Sequence, residues 1–418
     1  MAAAPRALII GGGAMGLCSA YFLWKSGVSV EVVEKDDIGA GSSLHNAGLV
    51  CPGHFIPLAA PGAVAQGLKY MLNSESPFYI KPRADLDLIR WMWRFKQSST
   101  EQHVRRSMRL LLKLNAMSLA LYQEIAATEG LDFGLQKRGL LSVFRTDRGR
   151  SAAAHEAQLA EEIGLEARLL DGDGLQQLEP GVRWKAAGAL FYPGDAHLVP
   201  ARFVRVLADL LAAKGVRIHT GVAATGFETQ GDRVIAVRTP AGALAADEFV
   251  LASGAWSPGL LRGLRIRILQ QPGKGYSVAI ENPPRMPAIP AVLREAKVAV
   301  TPMDNFLRFA GTLELAGLDT SITQRRVDAI LKAVPQYMDD VDATRVDRQT
   351  TWSGLRPCTP DGLPYVGRFR RHPNLVAATG HAMIGMTMAT ATGKLVSQIV
   401  QGREPEIDIR ALDPDRFA

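Results

Sequence analysis

The chain has 418 residues, with 48 lysines and arginines against 41 aspartates and glutamates and a formal net charge of +7 at pH 7. Hydrophobic residues make up 47% and charged residues 21%, which is typical of a globular protein long enough for two domains. The basic residues form no block, so the charge does not indicate nucleic-acid binding. It suits an anionic lipid surface, a carboxylate ligand or simply a basic soluble surface.

Cysteine content and hydropathy set further limits. Cys18, Cys51 and Cys358 are too few and too scattered for a disulfide framework or a metal site, so a reduced, cytoplasmic location is the default expectation. The first residues lack a charged segment followed by an apolar run and a cleavage site, which predicts no signal peptide. No apolar stretch is long enough to span a bilayer. Any membrane contact is expected to be peripheral, on the inner face.

A glycine-rich turn connects the first predicted strand to the first predicted helix. Leu8 to Ile10 is apolar, and Gly11, Gly13 and Gly16 fit the pattern G-x-G-x-x-G. The first glycine forms the tight turn, the second lets the backbone approach a pyrophosphate, and the third lets the helix pack on the strand. The helix predicted over 17–26 directs its free N–H groups toward those phosphates. The turn therefore predicts a dinucleotide site.

An acidic residue ends the second predicted strand. Gly27 ends the helix, Val28 to Val33 forms the strand, and Glu34 follows directly. A carboxylate at this position accepts hydrogen bonds from the adenosine ribose and disfavours a ribose phosphate. FAD or NAD is therefore expected rather than NADP.

Helical patterns dominate the chain over residues 62–193. Residues 85–95 carry Trp91 and Trp93 among basic residues, and residues 104–117 combine leucines with arginines and a lysine. Apolar residues three and four positions apart predict amphipathic helices. A basic helix with two tryptophans suits either an anionic bilayer surface or packing of both indoles inside a domain. We expect the packed arrangement.

Alternating helix and strand patterns return after Pro193. A helix is predicted over 201–213, and strands over 216–219, 234–239 and 248–256. A turn at Gly242 suggests a small antiparallel excursion. From residue 265 to about 345 we expect a mixed sheet.

A loop of small and hydroxyl residues carries a family resemblance. Ser42-Ser43 leads to Asn46-Ala47-Gly48. This resembles the D-amino-acid oxidase and dehydrogenase family of FAD-dependent amine oxidoreductases, in which such a segment passes along the pyrophosphate and the flavin ring. Residues 51–54 and 59–62 are most similar to its bacterial D-amino-acid dehydrogenase (small-subunit) branch. The resemblance covers almost the whole chain.

Later segments resemble the same family. Residues 272–277 and 307–314 are similar to strands of its substrate domain, and residues 352–362 to the segment that returns to the flavin. The strand over 248–256 is similar to one in flavoproteins with two dinucleotide folds. That similarity favours FAD over NAD.

The resemblance implies candidate catalytic residues. In the family the arginine corresponding to Arg356 binds the substrate carboxylate, a role that suits the two parallel N–H donors of a guanidinium. The alternative is a structural ion pair within the loop. Tyr276 is expected to hydrogen-bond the carboxylate or cover the pocket, and Lys274 and His54 are further candidates.

The last predicted helix, over 388–400, follows a segment that is also expected at the flavin. Its N-terminus would direct N–H groups at the N1/C2 carbonyl edge, where negative charge collects on reduction. His381 and Met383 are expected near the substrate face. His381 is kept as a catalytic candidate, although a hydrogen-bonded structural histidine is the commoner role in such a turn.

The glycine motif and the resemblance together predict the cofactor-binding residues, and no metal is expected. The residues are Gly11, Gly13, Ala14, Met15, Gly16, Glu34, Lys35, Ser42, Ser43, His45, Asn46, Ala47, Gly48, Val222, Ala252, Gly254, Trp256, Gly380, Met383, Ile384, Gly385, Met386 and Thr387. His45 departs from the dehydrogenase branch, which has a small residue there. Related dimethylglycine and sarcosine dehydrogenases carry a histidine bonded covalently to the flavin at the matching place, so a covalent bond to His45 is a hypothesis.

The implied fold is α/β, with a Rossmann-like FAD-binding domain and an inserted α+β substrate domain built on a mixed sheet. The FAD-binding domain is expected over 1–61, 194–262 and 346–418, and the substrate domain over 62–193 and 263–345. The implied reaction is oxidative deamination of a D-amino acid to a 2-oxo acid and ammonia. Hydride passes to flavin N5, and the electrons pass on to a quinone or another carrier.

Three alternatives remain open. One is a secondary-amine oxidase or dehydrogenase acting on hydroxyproline, proline, glycine or sarcosine, alone or with partner subunits. Another is a flavin-bearing electron-relay subunit without a substrate site, in which Arg356 is salt-bridged within the protein. The third is a nicotinamide dehydrogenase.

Overall fold

The computed structural model describes residues 5–71, 76–339, 341–342 and 345–418. The predicted domain ranges also include residues 1–4, 72–75, 340 and 343–344, which lie outside the described residues. The strands are β1 (Arg6–Ile10), β2 (Ser29–Val33), β3 (Leu49–Val50), β4 (Phe78–Ile80), β5 (Leu140–Phe144), β6 (Arg168–Asp171), β7 (Gly188–Tyr192), β8 (Ala196–His197), β9 (Arg217–His219), β10 (Gly226–Gln230), β11 (Arg233–Thr239), β12 (Gly242–Ala245), β13 (Glu248–Leu251), β14 (Gln271–Glu281), β15 (Ala291–Leu293), β16 (Val298–Met303), β17 (Phe306–Leu315), β18 (Trp352–Cys358), β19 (Tyr365–Arg368) and β20 (Leu375–Thr379). The α-helices are α1 (Ala14–Lys25), α2 (Ala63–Met71), α3 (Leu86–Ser98), α4 (Glu101–Glu129), α5 (Asp147–Glu162), α6 (Gly172–Leu178), α7 (Pro200–Ala213), α8 (Ser257–Leu261), α9 (Gln324–Ala333) and α10 (Gly385–Val400).

The first sheet has the order β19-β20-β13-β1-β2-β9. Its strands are parallel except for β19, which pairs antiparallel with β20. The apolar runs of β1 and β2 are buried because helices cover a parallel sheet. The predicted Rossmann-like fold is confirmed, and the excursion predicted at Gly242 is the small sheet β10-β11-β12.

Four helices pack together beside the first sheet. Their buried residues share one cluster that includes Leu17 of α1, Leu114 and Tyr122 of α4, Leu207 of α7 and Leu395 of α10. The Tyr122 hydroxyl donates to the carbonyl oxygen of Met386 at 2.7 Å. The first part of α4 packs elsewhere, because Val104 and Met108 share a cluster with residues of β5, α5 and β7. The helix thus contacts both sets of elements, and its assignment to the substrate domain stays a proposal. An amphipathic pattern shows which face of a helix is buried but not which element covers it.

The second sheet is mixed and has nine strands, in the order β18-β14-β17-β16-β15-β5-β7-β6, with β4 on β17. β18 pairs antiparallel with β14 from Trp352↔Ser277 to Cys358↔Gln271. The sequence division assigned 352–358 to the FAD-binding segments, whereas this strand lies in the mixed sheet. Otherwise the strands of each sheet come from the ranges expected for that domain, and the division stays a proposal.

The two faces of the nine-stranded sheet have different environments. Tyr276, Val278 and Ile280 of β14 belong to a buried cluster that includes Ile330 of α9. Gly275 and Ser277 alternate with them and line a cavity on the other face. The period of two along a strand therefore separates structural from cavity-facing side chains.

Of the two tryptophans of α3, one lies in the core and the other on the surface. The Trp91 indole is 3% exposed and donates from Nε1 to the carbonyl oxygen of Cys358 at 2.9 Å. Trp93 is 56% exposed, so the expectation that both indoles are packed is wrong for Trp93. Among the described helices none is long and apolar enough to cross a bilayer.

Candidate active site

A cavity of about 1210 Å³ is lined by residues of both large sheets. Ile10, Val33 and Ala252 contribute from the carboxyl ends of β1, β2 and β13. Ser277 and Ala310 contribute from the opposite sheet. Ligands of open α/β sheets bind at the carboxyl ends of the strands, so the first sheet presents its binding edge to this cavity.

The amino terminus of α1 forms one end of the cavity. Gly13 is its N-cap, without a capping side chain, and the first turn carries no acidic residue. Gly11 has a φ of +114°, and a Cβ there would lie 2.5 Å from the oxygen of Ala252. A Cβ on Gly16 would lie 1.8 Å from the oxygen of Gly11. These contacts match the roles expected of the first and third glycines. The Ala14 N–H donates to the Ser43 hydroxyl at 3.0 Å, so one of the free N–H groups that this helix end could offer an anionic group is already satisfied.

Glu34 and Trp256 flank the same end of the cavity. The Glu34 carboxylate accepts from the backbone N–H of Gly12 at 2.8 Å and from that of Asp36 at 3.1 Å. The Lys35 ammonium lies 4.4 Å from the centre of the Trp256 ring. Each carboxylate oxygen keeps a further lone pair, so Glu34 can still accept hydrogen bonds from a ribose.

Hydrogen bonds hold the loop over 42–48 along the cavity. The Asn46 amide donates to the oxygen of Ser43 at 2.9 Å, and its Oδ1 accepts from the N–H of Gly48 at 2.8 Å. Arg308 Nη1 donates to the oxygen of Asn46 at 3.0 Å. Burial lowers the pKa of Arg308 to about 10. This buried arginine, from the segment at 307–314, fixes the loop from behind.

His45 faces the cavity and packs against Trp352, with ring centres 5.5 Å apart. Burial, and to a lesser degree the charge of Arg308, lower the pKa of His45. The ring is therefore in an environment that favours its neutral, nucleophilic form. Covalent attachment stays a hypothesis; acid precipitation that leaves all flavin in the supernatant would exclude it.

A second helix end reaches the cavity opposite the first. Residues 382–386, at the start of α10, line it, and α10 has no capping side chain. The Thr387 hydroxyl donates to the oxygen of Leu49 at 3.0 Å instead of facing the cavity. The N-terminus of α10 therefore lies at the cavity wall, and its role at the flavin edge stays a proposal.

His381 contributes to the cavity wall but is tied to α10. Its Nε2 lies 2.9 Å from the Thr392 hydroxyl, while Nδ1 has no hydrogen-bond partner among the described residues. Burial lowers the pKa of His381 to about 3. The imidazole is therefore neutral near pH 7, and its contact with Thr392 fits the structural role better than that of a proton carrier.

Arg356 is the central cation of the cavity. A Cβ on Gly275 would lie 2.1 Å from Nη1, so the guanidinium lies across that glycine. Nη1 donates to the carbonyl oxygen of Thr312 at 2.7 Å. No carboxylate among the described residues lies within ion-pairing distance of Arg356. Burial lowers its pKa, and the charge is left for a ligand.

A β-bulge turns the Thr312 carbonyl toward Arg356. Lys274 pairs with Glu314 and Tyr276 with Gly311, so two residues of β17 face one of β14. Thr312 has a φ of +66°, which a β-branched residue rarely adopts. Bulges next to active sites redirect backbone groups in this way.

Two catalytic candidates direct their polar ends away from the cavity, although Tyr276 contributes to its edge. The Tyr276 hydroxyl donates to Glu314 at 2.8 Å, and its ring belongs to the cluster under α9. The Lys274 ammonium donates to the oxygen of Ser321 at 2.9 Å. Both side chains occupy the back of β14, because they alternate with Gly275. We therefore correct the expectation that Tyr276 binds the carboxylate and that Lys274 takes part in catalysis.

Four predicted cofactor residues lie behind the cavity wall. They are Gly16, Val222, Gly380 and Thr387, and none of them lines the cavity. Val222 donates its N–H to the oxygen of Glu34 at 2.9 Å. A Cβ on Gly380 would lie 2.7 Å from the side chain of Thr359. These residues support the lining instead of forming it.

The remaining predicted residues line one continuous cavity. From the catalytic set these are Arg356, His381 and His54, with Tyr276 at the edge. From the cofactor set they are Gly11, Gly13, Ala14, Met15, Glu34, Lys35, Ser42, Ser43, His45, Asn46, Ala47, Gly48, Ala252, Gly254, Trp256, Met383, Ile384, Gly385 and Met386. Roles for these residues remain proposals.

Several cavity residues carry no signal in the sequence. Lys297 is the last residue of a short hairpin turn, for which the sequence pattern indicates an exposed loop. Glu156 lies on the amphipathic helix α5. Both line the cavity. Only the pairing of β15 with β5 and β16 brings these separate segments together.

The fold and the cavity define a class of enzyme: an amine or amino-acid oxidoreductase that holds FAD. The parallel sheet offers a helix N-terminus at the cavity, a glycine cradle that a Cβ would fill and an acidic acceptor, all of which fit a dinucleotide. The second helix end shares the same cavity with Arg356, which has no carboxylate partner in the described part of the chain.

The chain belongs to the DAO family of FAD dependent oxidoreductases, whose model matches residues 6–399. It is 34% identical, over 99% of this chain and 100% of the relative, to a D-amino acid dehydrogenase of Granulibacter bethesdensis. Its fold is similar to glycine oxidase from Geobacillus kaustophilus, with a TM-score of 0.79, 23% identity and coverage of 99% and 100%. It is also similar to L-proline dehydrogenase from P. horikoshii, with a TM-score of 0.74, 18% identity and coverage of 100% and 98%.

Proposed function

We propose that this protein is a D-amino acid dehydrogenase that forms a 2-oxo acid and ammonia and passes its electrons to a quinone or another carrier. The single observation that carries the amino-acid assignment is the Arg356 guanidinium, which lines the cavity and, among the described residues, donates to the carbonyl oxygen of Thr312 and to no carboxylate. The curated relative supports the D-amino-acid assignment.

The residues of the cavity would act mainly by positioning. Arg356 binds the substrate carboxylate with a forked pair of hydrogen bonds, which fixes the direction of the Cα hydrogen. The small side chains of Ser277, Ala310 and Ala299 form the sheet surface beside it and leave room for a planar group. Bound FAD supplies the hydride acceptor. Water hydrolyses the released imine.

Anaerobic flavin reduction tests this proposal directly. The holoenzyme is titrated under argon with D- and L-amino acids while the oxidised flavin band is followed. Bleaching by D-amino acids, with turnover that requires a quinone or dye in place of oxygen, is the expected result. Bleaching by L-amino acids alone, or efficient turnover with oxygen alone, would contradict it.

Secondary amines are the second candidate substrate. The similar structures include a glycine oxidase and an L-proline dehydrogenase. His45 also matches the place at which related dimethylglycine and sarcosine dehydrogenases carry a histidine bonded to the flavin. The same flavin titration distinguishes this candidate from a D-amino acid dehydrogenase when it also includes glycine, sarcosine, L-proline and hydroxyproline. A secondary-amine enzyme requires that one of these compounds bleach the flavin faster than D-alanine does.

An electron-relay subunit is the less favoured alternative. That role leaves no reason for a buried cation in the cavity and requires Arg356 to be paired with a carboxylate. Within the described part of the chain its hydrogen bond goes to Thr312 instead. Failure of every amine in the panel to bleach the flavin would favour the relay role.

Peripheral membrane contact belongs to the same proposal. Leu86, Ile89 and Trp93 share one face of α3 and are 70%, 54% and 56% exposed, with Arg90 and Arg94 on the same helix. An exposed apolar face beside basic residues suits an anionic bilayer. Sedimentation with vesicles of anionic lipid should deplete the protein from solution, and Trp93→Ser should weaken this depletion. Equal sedimentation of both proteins would contradict the proposal.

A further inference from the structure

Lys297 faces the cavity from the nine-stranded sheet. It precedes Val298 of β16, which packs in the cluster on the back of the sheet, whereas Ala299 lines the cavity. Lys297 itself is the last residue of the turn before β16, with a φ of +55°. Lys297 does line the cavity and keeps exposed surface.

Lys297 and Arg356 approach the same short stretch of β17 from opposite sides. Val298 pairs with Gly311, and the Lys297 oxygen lies 3.4 Å from the Cβ position of Gly311. On the other side Arg356 crosses Gly275 to reach the oxygen of Thr312. Neighbouring strands are ~4.8 Å apart. Both side chains therefore line the same cavity, from positions on either side of β17.

The Lys297 ammonium is available to a ligand. Among the described residues it has neither a hydrogen-bond partner nor a carboxylate within ion-pairing distance. Glu156 and Glu295 are near enough to raise its pKa, although burial and the charge of Arg294 outweigh them and lower it.

The two neighbouring carboxylates already have other donors. Glu156 accepts from Arg294 at 2.5 Å and from the Tyr192 hydroxyl at 2.6 Å. Glu295 accepts from the Tyr337 hydroxyl at 2.7 Å and from the Thr146 hydroxyl at 2.9 Å. Neither needs Lys297 as a partner, which leaves the ammonium facing the cavity.

We infer that Lys297 is a specificity-determining residue that binds the side-chain carboxylate of an amino dicarboxylic acid while Arg356 holds its α-carboxylate. The inference rests on the proposed function, because it assigns the substrate class of the same site. Aspartate and glutamate have the required chemistry, with two carboxylates joined by a short carbon chain. A neutral isostere lacks the second anion and leaves Lys297 desolvated without a partner.

Substitution at this position is compatible with the backbone. Lys297 has a φ of +55°, a conformation that glycine and asparagine adopt more readily than lysine. Lys297→Asn should therefore fold and bind FAD, while removing the charge. Lys297→Arg keeps the charge, and Lys137→Asn, at an exposed position outside the cavity, is the control.

Steady-state kinetics give the first test. For the enantiomer that the enzyme oxidises, we expect kcat/KM to favour glutamate over glutamine or aspartate over asparagine. Lys297→Asn should reduce that preference by about tenfold or more, whereas Lys297→Arg and Lys137→Asn should keep most of it. An unchanged preference in Lys297→Asn would overturn the inference. So would an equal loss of kcat on every substrate, which would place Lys297 in the chemical step.

Ligand binding gives a second test that does not depend on turnover. Glutarate and butyrate are titrated into the oxidised holoenzyme, and the perturbation of the flavin spectrum gives each dissociation constant. Lys297→Asn should weaken glutarate binding by about tenfold and leave butyrate binding unchanged. Equal weakening of both ligands would contradict the inference. Failure of every amine to reduce the flavin would instead refute the proposed function, and the glutarate result would still report on Lys297.

Discussion

Arg356 and Gly275 lie in contact across two paired strands, and the absence of a side chain at position 275 is what lets the guanidinium reach Thr312. A Cβ on Gly275 would come 2.1 Å from Nη1 and 2.4 Å from Cζ of Arg356. The register places Gly275 opposite Gly354, over which the Trp352 indole lies, 2.0 Å from the Cβ position. The paired glycines thus form a groove for one flat cation and one flat ring.

Gly275→Ala should displace the guanidinium. A methyl group cannot share the space of Nη1, so Arg356 must leave its hydrogen bond to Thr312. We expect KM for the amino acid to rise by about tenfold or more, with little change in FAD content. Gly263→Ala is the control, because a Cβ there meets nothing within 4 Å. An unchanged KM in Gly275→Ala would show that the position of Arg356 does not govern substrate binding.

Arg356→Lys should separate charge from geometry. Lysine keeps the positive charge but cannot donate two parallel hydrogen bonds to a carboxylate. We expect kcat/KM to fall by about 10- to 100-fold, and Arg356→Met to lose still more. The ratio of flavin to protein absorbance should stay constant in both variants. If Arg356→Lys retains full kcat/KM, a forked contact with the carboxylate is excluded.

The sequence predicts the nucleotide end of the cavity better than the substrate end. Gly11, Gly16 and Glu34 lie within one β-α-β unit, so their spacing fixes their geometry. Arg356 meets Gly275 and Thr312 only through strand pairing and a bulge, which no local pattern reveals. A motif also does not show which face of a strand a residue occupies, so the pattern that makes Tyr276 and Lys274 catalytic candidates does not show that their polar ends lie behind β14.

Tyr276→Phe should affect stability but not substrate binding. The hydroxyl donates to the buried Glu314, and its loss costs about 1–3 kcal/mol of the free energy of unfolding. KM for the amino acid should change less than twofold, because the side chain faces α9. Tyr337→Phe, which removes a similar hydrogen bond to Glu295, is the matched control. A tenfold rise of KM in Tyr276→Phe alone would restore its role as a substrate ligand.

Asp195 should make stability depend on pH in a direction opposite to most carboxylates. Its Oδ1 accepts from the N–H of Gly53 at 2.8 Å, whereas Oδ2 has no hydrogen-bond partner among the described residues. Burial raises its pKa from 3.8 to about 7. Between these values the folded protein holds a proton that the unfolded chain has released, so the free energy of unfolding falls as the pH rises.

Asp195→Asn removes this titration. The variant should gain stability relative to the wild type as the pH rises from 4 to 7, by up to about 4 kcal/mol, and the difference should level off above pH 7. Unfolding by urea at pH 5 and pH 8, with FAD in equal excess, measures it. Asp209→Asn, at an exposed position of α7, should show no such pH dependence. Asparagine also leaves one polar atom unpaired, which can change stability equally at every pH. The test is therefore whether the difference in the free energy of unfolding between Asp195→Asn and the wild type changes with pH. A difference that stays constant would contradict the prediction.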